Sequence, residues 1–369
     1  MKAIDADTHV FEPIELFHEH LDPQLRDRGP EWVEQDDKFC VRVGETIYPT
    51  VPHHPGIGHI YGPKSKIDTT ISGDPVARLK YMDSINTYSQ VIFPTLGMAG
   101  FSAIGDPELG AGCARAYNRY ISEFTSLDPV RLKATMLIPF NHPELAVKEM
   151  EFALENFGLD VAFSNPVPPT NGGVETAWSD EQYDPIWAAA AANDVTIIFH
   201  ESTVGCPTNA IGINRYTWRW PMIYLCTHTV EPQLITMDLI LGGVLHRHPG
   251  LKVGLAEAHV AWLAGWLQVM DDNFGQGVKI FGNESGEAEL DLLPSEYFKR
   301  QMFIVGFSDD GGVAEAVEAL GADNVLLSSD WPHPNERQSW TEEVAGRDDL
   351  TAELKTHLME DAPKKWIKF

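Results

Sequence analysis

The chain has 369 residues, a hydrophobic fraction of 43% and a formal net charge of −27 at pH 7. This length and composition are typical of a globular protein with a large buried core, and barrels of alternating strands and helices reach this size as one unit. The negative charge argues against partners that attract basic surfaces, so we expect neither a nucleic acid nor a membrane as partner.

The cysteines and the N-terminal residues both favour a cytoplasmic protein. The 4 cysteines form no Cys-x-x-Cys pair, and Asp5 and Asp7 interrupt any apolar start that would act as a signal peptide. No apolar run is long enough to cross a bilayer. We therefore expect a cytoplasmic location and reduced thiols.

Eight apolar runs with the character of buried strands alternate with amphipathic segments. The runs cover residues 2–8, 89–94, 132–140, 159–165, 195–200, 251–258, 302–307 and 325–329. The amphipathic segments include residues 111–124, 143–157, 184–192, 231–246 and 312–320. This repeat predicts an α/β fold, a (β/α)8 TIM barrel of parallel strands covered on both faces. An open doubly wound sheet is the alternative, but no Gly-x-Gly-x-x-Gly follows the first run.

Two excursions depart from the repeat within a chain that we predict to be one barrel domain, residues 1–369. An insertion, residues 30–74, follows the first strand, and within it residues 39–51 alternate like a hairpin around Gly44. A second segment, residues 201–229, follows the fifth strand. Both follow carboxyl ends of strands, where a parallel barrel carries its active site, so we predict that the second segment is lid-like. Ordinary surface elaboration is the alternative. The C-terminal residues 341–369 are predicted to be helical.

Metal-ligating side chains lie where four of the predicted strands end. They are Asp7, His9, His200, Glu257, His259 and Asp330. Residues i and i+2 of a strand face the same side, so Asp7 and His9 project together, and the pair at strand six can do the same. His200 alone would be read as a core histidine and Asp330 alone as a helix cap. Their joint placement, with Glu201 as a further candidate, predicts a metal site of carboxylates and imidazoles.

Several motifs resemble those of a known family. They are IDADTHVFEP at 4–13, YMD at 81–83, YN at 117–118, DPIW at 184–187, FHE at 199–201, HPGLKV at 248–253 and SSDWPH at 328–333. Together they resemble the amidohydrolase superfamily, and within it the amidohydrolase-related branch that also contains decarboxylases. The resemblance implies a metal-binding barrel in which Asp7, His9, His200 and Asp330 occupy metal positions.

The sequence departs from that family pattern at two strands. The fourth strand ends in Asn165-Pro166, without the lysine that bridges two metals in dinuclear members once it is carboxylated. At the end of strand six, Glu257 stands where decarboxylases of the branch have an acid–base histidine, and His259 follows two residues later. These two residues therefore allow a second metal. The whole set is similar to that of a small group of dinuclear non-haem monooxygenases in the superfamily.

The leading expectation is a monooxygenase that uses O2 to hydroxylate a small or medium organic acid or a derivative of one. It would hold two divalent metals per chain, iron or manganese or both, with zinc as the alternative. Asp330, His259 and Glu257 would be its catalytic residues. This reading follows from the resemblance and from the extra carboxylate and imidazole at strand six.

Two other readings stay open. In the first, one metal activates water for hydrolysis, with Asp330 taking the proton. The same pocket would also suit a non-oxidative decarboxylase of a carboxylic acid, with His259 in place of the missing histidine. In the second reading, the chain is a catalytically silent partner subunit that supports an active paralogue.

Candidate substrate contacts come from the residues that follow strands five and eight. Arg215 or Arg219 would pair with a carboxylate of the substrate, and Trp218 would supply an apolar wall. His228 and His333 each lie just beyond a strand end and would reach the pocket. Because barrels of this branch resemble dimers and larger assemblies, we also expect a homo-oligomer or a complex with a paralogue.

Overall fold

Twelve strands occur in the computed structural model, which describes residues 2–49, 54–58, 60–61, 65, 67, 69–99, 104–168, 176–201, 211–216, 219–284, 286, 288–333 and 339–369. They are β1 (Ala3–His9), β2 (Glu31–Gln35), β3 (Lys38–Val43), β4 (Thr46–Tyr48), β5 (Thr87–Phe93), β6 (Leu132–Ala134), β7 (Met136–Leu137), β8 (Val161–Ser164), β9 (Thr196–His200), β10 (Lys252–Ala256), β11 (Met302–Phe307) and β12 (Val325–Ser328).

All strands except β2, β3 and β4 form a parallel barrel. β1 pairs with β5 and β5 with β6, while β7 to β12 pair in chain order. A bridge between Thr8 and Trp331 closes the ring. β6 and β7 are two parts of one barrel strand, interrupted at Thr135, whose backbone N–H and hydroxyl both donate to the carbonyl of Ile92 at 3.0 Å. The predicted (β/α)8 TIM barrel is therefore confirmed.

Helices lie between and after the strands, and those whose side chains share the main apolar core cover the barrel. The helices are α1 (Glu15–His20), α2 (Thr69–Ser72), α3 (Pro75–Ser84), α4 (Pro107–Thr125), α5 (Pro143–Phe157), α6 (Asp184–Ala192), α7 (Ile213–Tyr216), α8 (Trp220–Leu225), α9 (Glu231–Leu241), α10 (Val244–Arg247), α11 (Leu263–Asn273), α12 (Gln276–Phe281), α13 (Pro294–Gln301), α14 (Val313–Leu320), α15 (Trp340–Gly346), α16 (Ala352–Glu360) and α17 (Ala362–Trp366).

Local sequence explains several helix boundaries. α5 begins at a proline, whose missing N–H costs nothing there, and it ends before Gly158, which has a φ of 67°. The predicted helix over residues 231–246 is instead two helices, α9 and α10. The chain breaks between them at Gly243, which adopts a φ of 79° that favours glycine. A five-residue π-helical segment, Cys226–Val230, lies between α8 and α9.

The first insertion contains the predicted hairpin. β2, β3 and β4 form an antiparallel sheet, and β3 and β4 pair on either side of Gly44, which has a φ of 57°. Val41, Val43 and Tyr48 of this sheet belong to an apolar cluster, with side chains of α4 such as Leu109. The insertion is thus packed against the barrel helices on the side of β1.

The C-terminal helices pack on the barrel. The indole N–H of Trp340 donates to Thr87 Oγ1 at 2.8 Å, and the hydroxyl of Thr196 donates to the carbonyl of Trp366 at 2.7 Å. None of the described helices combines the length and the hydropathy that a membrane span requires.

Candidate metal centre

Four of the predicted ligand residues meet at the carboxyl ends of the barrel strands. Asp7 and His9 end β1, His200 ends β9, and Asp330 follows β12. His9 Nε2 lies 3.4 Å from Asp7 Oδ1 and 3.3 Å from Asp330 Oδ1, and His200 Nε2 lies 3.2 Å from Asp7 Oδ2. All four side chains are buried. The barrel therefore gathers two carboxylates and two imidazoles around one small volume.

Backbone carbonyls fix which nitrogen of each histidine faces that volume. His9 Nδ1 lies 2.9 Å from the carbonyl of Pro94, and His200 Nδ1 lies 2.7 Å from the carbonyl of Glu201. Because a carbonyl only accepts, each Nδ1 carries a hydrogen, and each Nε2 is the nitrogen that faces the centre and can bind a cation there. This is the usual way in which outer partners orient metal-binding histidines.

The atoms that face the centre fit a bound cation. Both oxygens of Asp7 and the Nε2 atoms of His9 and His200 are buried, and although they lie 3.2 to 3.4 Å from one another, they form no hydrogen bond of good geometry with a described residue. Buried polar atoms are normally satisfied, so such a convergence requires an explanation. A donor set of carboxylate oxygens and imidazole nitrogens without thiolates suits manganese, iron or zinc.

The electrostatics of the centre point the same way. Burial on its own would raise the pKa of Asp330, but His333 and His9 hold it well below its usual range. Burial would lower the pKa of His200, yet Asp7 raises it to about 9. The carboxylates thus draw positive charge to the centre, which protons or a metal cation can supply.

Two buried side chains that the sequence analysis did not single out for this role hold the ligand-bearing segments in place. Arg78 donates from Nη1 to the carbonyl of His9 and from Nη2 to Thr8 Oγ1, both at 2.7 Å. Asp5 accepts from the backbone N–H of Ser329 at 2.9 Å and from its hydroxyl at 2.7 Å. Asp5 is two residues before Asp7 in the same strand, so the alternation of side chains could have predicted that it faces the same side. Arg78 is a single arginine on a helix, and no sequence pattern around it indicates this role.

A second group of ligand-type side chains lies beside the first. His228 Nδ1 is 3.4 Å from Glu201 Oε2, and His228 Nε2 is 3.5 Å from Glu257 Oε1. Glu257 Oε2 is in turn 3.8 Å from His200 Nδ1. All three residues of the group are buried. The structure therefore places His228, predicted as a substrate contact, between two carboxylates.

His259 is not brought into either group. Its Nδ1 lies 2.6 Å from Asp310 Oδ1 and its Nε2 lies 3.1 Å from the hydroxyl of Tyr224. Both ring nitrogens are thus engaged away from Glu257. The reason is that β10 ends at Ala256, and Glu257 and His259 have φ values of 54° and 49°, outside the extended region. The expectation that these two residues form one metal-binding pair is corrected accordingly.

The remaining predicted substrate contacts differ in whether the structure places them at the centre. His333 Nδ1 lies 2.8 Å from Asp330 Oδ1, and the His333 ring stacks on His9 with centroids 3.9 Å apart. Arg215 and Arg219 are exposed, without a described contact to the centre. Trp218 lies outside the described residues, as do residues 202–210 and 217 of the lid-like segment, so their roles stay predictions.

Comparison with known proteins identifies decarboxylases among the relatives. The chain is 23% identical over 261 residues to a gamma-resorcylate decarboxylase of Polaromonas sp., a match that covers 70% of this chain and 77% of that protein. A gamma-resorcylate decarboxylase of Rhodococcus jostii is 22% identical over 277 residues, with 70% and 77% of the two chains covered.

Solved structures share the fold over nearly the whole chain. An amidohydrolase of Mycobacterium avium subsp. paratuberculosis superposes with a TM-score of 0.80 at 20% identity, over 99% of this chain and 98% of that one. The 5-carboxyvanillate decarboxylase of Sphingomonas paucimobilis gives a TM-score of 0.72 at 20% identity, with 99% and 98% covered. A dihydroxybenzoic acid decarboxylase of Polaromonas sp., with bound manganese and the inhibitor 2-nitroresorcinol, gives 0.66 at 17% identity, with 99% and 96% covered.

These relatives overturn the leading functional expectation. Those with a stated activity are decarboxylases, which are lyases, so the prediction of an oxidoreductase that hydroxylates its substrate with O2 is wrong. The structure also removes the argument on which it rested, because His259 is held by Asp310 and Tyr224. The decarboxylase alternative is the better supported reading.

The family assignment rests on the sequence of almost the entire chain. The family model described as Amidohydrolase matches residues 4–369. That range includes β1, which carries Asp7 and His9, and extends to the last residue of the C-terminal helical region. The chain therefore belongs to the amidohydrolase family.

Proposed function

We propose that the protein is a metal-dependent, non-oxidative decarboxylase of an aromatic carboxylic acid with a hydroxyl group next to the carboxyl group. The observation that carries this proposal is the buried centre of Asp7, His9, His200 and Asp330, whose donor atoms converge without hydrogen-bond partners for Asp7, His9 Nε2 and His200 Nε2 among the described residues. The decarboxylase relatives support it, since their names give resorcylate, dihydroxybenzoate and carboxyvanillate as substrates.

We propose manganese as the cation of this centre. Two carboxylates and two imidazoles are ligands that manganese accepts, and the structure of a dihydroxybenzoic acid decarboxylase carries manganese. A divalent cation held there would bind the carboxylate and hydroxyl oxygens of the acid and stabilise the negative charge on them. The reaction needs one such ion and no change in its oxidation state, so iron is not required.

The chain's own residues must supply one proton per turnover. Decarboxylation breaks the bond between the ring and the carboxyl carbon, leaves the bonding electrons on the ring carbon, and releases CO2. That ring carbon then takes a proton. Asp330 and His333 are the pair that we assign to this step, because His333 Nδ1 lies 2.8 Å from Asp330 Oδ1. The His333 side chain is 17% exposed and the Asp330 side chain 6%, so a proton can enter from solvent at His333. Because the pKa of Asp330 is held low, Asp330 does not store this proton but passes it from His333 to the ring carbon.

A direct assay tests the proposal. The manganese-loaded protein is incubated under nitrogen with 2,6-dihydroxybenzoate or with 5-carboxyvanillate, in H2O and in D2O. We expect equal amounts of CO2 and of the phenol product, and in D2O one deuterium on the carbon that lost the carboxyl group. A product that forms only with O2, or no CO2 from either acid, would contradict the proposal.

The Asp330→Asn variant tests the assigned proton step. Because an amide neither takes up nor delivers this proton, we expect the rate of CO2 release to fall by at least about a hundredfold. Metal content is measured alongside, so that loss of the ion is told apart from loss of the proton. Asp349→Asn is the matched control, since Asp349 pairs with Arg347 at the surface, and it should leave the rate unchanged.

A further inference from the structure

The group of Glu201, His228 and Glu257 is not used by the proposed reaction. One ligand atom of each residue lies within 4.8 Å of the others, and all three residues are buried. The three come from different elements, since Glu201 follows β9, His228 lies in the π-helical segment, and Glu257 follows β10. Their convergence is therefore a property of the folded barrel and not of one local run.

Two of these side chains lie on segments whose backbone has an unusual conformation. His228 lies in a π-helical segment, which inserts an extra residue into a helix and occurs mostly at functional sites. Glu257 has a φ of 54°, a conformation that a non-glycine residue adopts at a cost in stability. Both features are unfavourable on their own, which indicates that the positions of the two side chains matter.

The imidazole of His228 is fixed with its free nitrogen toward Glu257. His228 Nδ1 lies 3.0 Å from the carbonyl of Tyr224 and 2.9 Å from the hydroxyl of Thr227, and because the carbonyl only accepts, Nδ1 carries the hydrogen. The rings of His228 and Tyr224 stack with centroids 3.6 Å apart. His228 Nε2 therefore keeps its lone pair and faces Glu257 Oε1 at 3.5 Å. A nitrogen lone pair and a carboxylate oxygen that face each other without a hydrogen between them can both bind one cation.

The negative charge of the two carboxylates in this group also favours a bound cation. Among the described residues Glu257 has ion-pair contacts with His200 and His228, and with no lysine or arginine. A buried carboxylate normally requires a positive partner. A neutral His228 is not that partner, because its one hydrogen, on Nδ1, is donated to the Tyr224 carbonyl and not to Glu257.

We infer that Glu201, His228 and Glu257 form a second cation site, next to the centre of Asp7, His9, His200 and Asp330. Two carboxylates and one imidazole suit a divalent first-row metal such as Mn²⁺. The site differs from the pair that the sequence suggested, because His228 takes the place of His259. The inference goes beyond the proposed function, which requires only the first centre.

Metal analysis of the full chain tests this inference. The protein is dialysed to equilibrium against excess Mn²⁺, and bound manganese is measured per chain for the wild type, His228→Ala and Glu201→Gln. We expect two equivalents for the wild type and one for each variant. His246→Ala is the matched control, because His246 pairs with Asp291 at the surface, and it should keep two. Circular dichroism verifies that each variant is folded, and Glu201→Gln keeps the test decisive where His228→Ala does not fold.

Electron paramagnetic resonance gives a second readout that does not depend on activity. Two Mn²⁺ ions held side by side couple magnetically, so the wild type should give a broadened, coupled spectrum and Glu201→Gln the spectrum of an isolated ion. One equivalent in the wild type, or a second equivalent that His259→Ala removes and His228→Ala does not, would overturn the inference. CO2 release by a protein with one equivalent would overturn only the second site, and two equivalents without CO2 release would overturn only the proposed function.

Discussion

The ends of β1 and β10 carry the same short pattern and use it differently. Asp7-Thr8-His9 and Glu257-Ala258-His259 each place a carboxylate two residues before an imidazole. At β1 both side chains enter the proposed metal centre. At β10 only the glutamate faces the neighbouring group, and His259 turns to Asp310 and Tyr224.

The difference lies in how far the neighbouring strands support the backbone. β1 continues as a strand to His9, although its register against β5 shifts between Asp5 and Thr8. The backbone N–H of His9 donates to the carbonyl of Trp331 at 2.7 Å, and His9 pairs with Phe93 on the other side. β10 pairs only as far as Ala256, opposite His200. Residues i and i+2 share a face only while the chain is extended. The spacing of two residues therefore predicts a shared face correctly at β1 and wrongly at β10.

The largest effect that we expect separates the two histidines of this comparison. His9→Ala removes a donor atom from the first centre, so we expect it to lose the ion bound there and to lower CO2 release by more than about a hundredfold, beyond the usual effect of removing an outer partner. His259→Ala should keep that ion. Manganese per chain and the rate of CO2 release are the measurements.

Surface histidine His357, paired with Asp323, supplies the control variant His357→Ala, which should match the wild type. The contrast between the two strand ends would be broken if His259→Ala lost the ion of the first centre while His9→Ala retained it.

The next effect concerns Arg78, which holds the end of β1. Arg78→Ala leaves the buried carbonyl of His9 and hydroxyl of Thr8 without this donor and opens a cavity. We expect the free energy of unfolding to fall by about 3 kcal/mol or more, as measured by urea denaturation. Arg131→Ala is a suitable control, because Arg131 also donates to a backbone carbonyl, that of Tyr88, but is partly exposed and should cost about 1 kcal/mol or less. Equal losses would show that β1 needs no special support.

The barrel was predictable because its signals are local and repeated. Continuous apolar runs mark strands covered on both faces, and the observed β9, β11 and β12 fall within a residue of the predicted runs. The predicted third strand, residues 132–140, is instead β6, which pairs with β5, and β7, which pairs with β8, and between them the Thr135 side chain bonds to the carbonyl of Ile92. Such a side-chain bond across strands has no signature in local sequence.

The site was predictable only where strands continue to the ligand residue. Asp7, His9 and His200 lie within strands, and with Asp330 they meet as the carboxyl-end rule requires. The turn of His259 was not predictable, because nothing in the local residues shows that β10 ends one residue before Glu257. Asp310 was within reach of the same rule, since it follows β11, whereas the π-helical segment that carries His228 depends on tertiary packing.

A smaller effect is expected at Asp310, which holds His259 in its observed position. Asp310 Oδ1 lies 2.6 Å from His259 Nδ1, and Oδ2 accepts from the backbone N–H of Phe307 at 3.1 Å. Asn has one acceptor oxygen and cannot serve both donors, so Asp310→Asn should lower the free energy of unfolding by about 1–2 kcal/mol. Manganese at the first centre should be unchanged. Loss of that ion would mean that His259 contributes to the centre after all.

The smallest effect tests the backbone difference directly, through a pair of substitutions at each strand end. Gly and Ala both remove the functional side chain, so the difference between the two variants reports only the conformation of the backbone. At Glu257, with a φ of 54°, Ala stays strained and Gly does not, so Glu257→Gly should be more stable than Glu257→Ala by about 1 kcal/mol. At Asp7, within the extended β1, Asp7→Gly should be less stable than Asp7→Ala by about 0.5–1 kcal/mol.

The two expected differences in stability between Gly and Ala have opposite signs. An effect that is common to all four variants therefore cannot produce both of them. Urea denaturation of the metal-free proteins is the suitable method, because bound ions would stabilise the variants unequally. If Glu257→Gly were less stable than Glu257→Ala, as is expected at Asp7, β10 would be extended through Glu257. The chain would then place His259 on the same face as Glu257, and the likeness of the two strand ends would extend from the sequence to the structure.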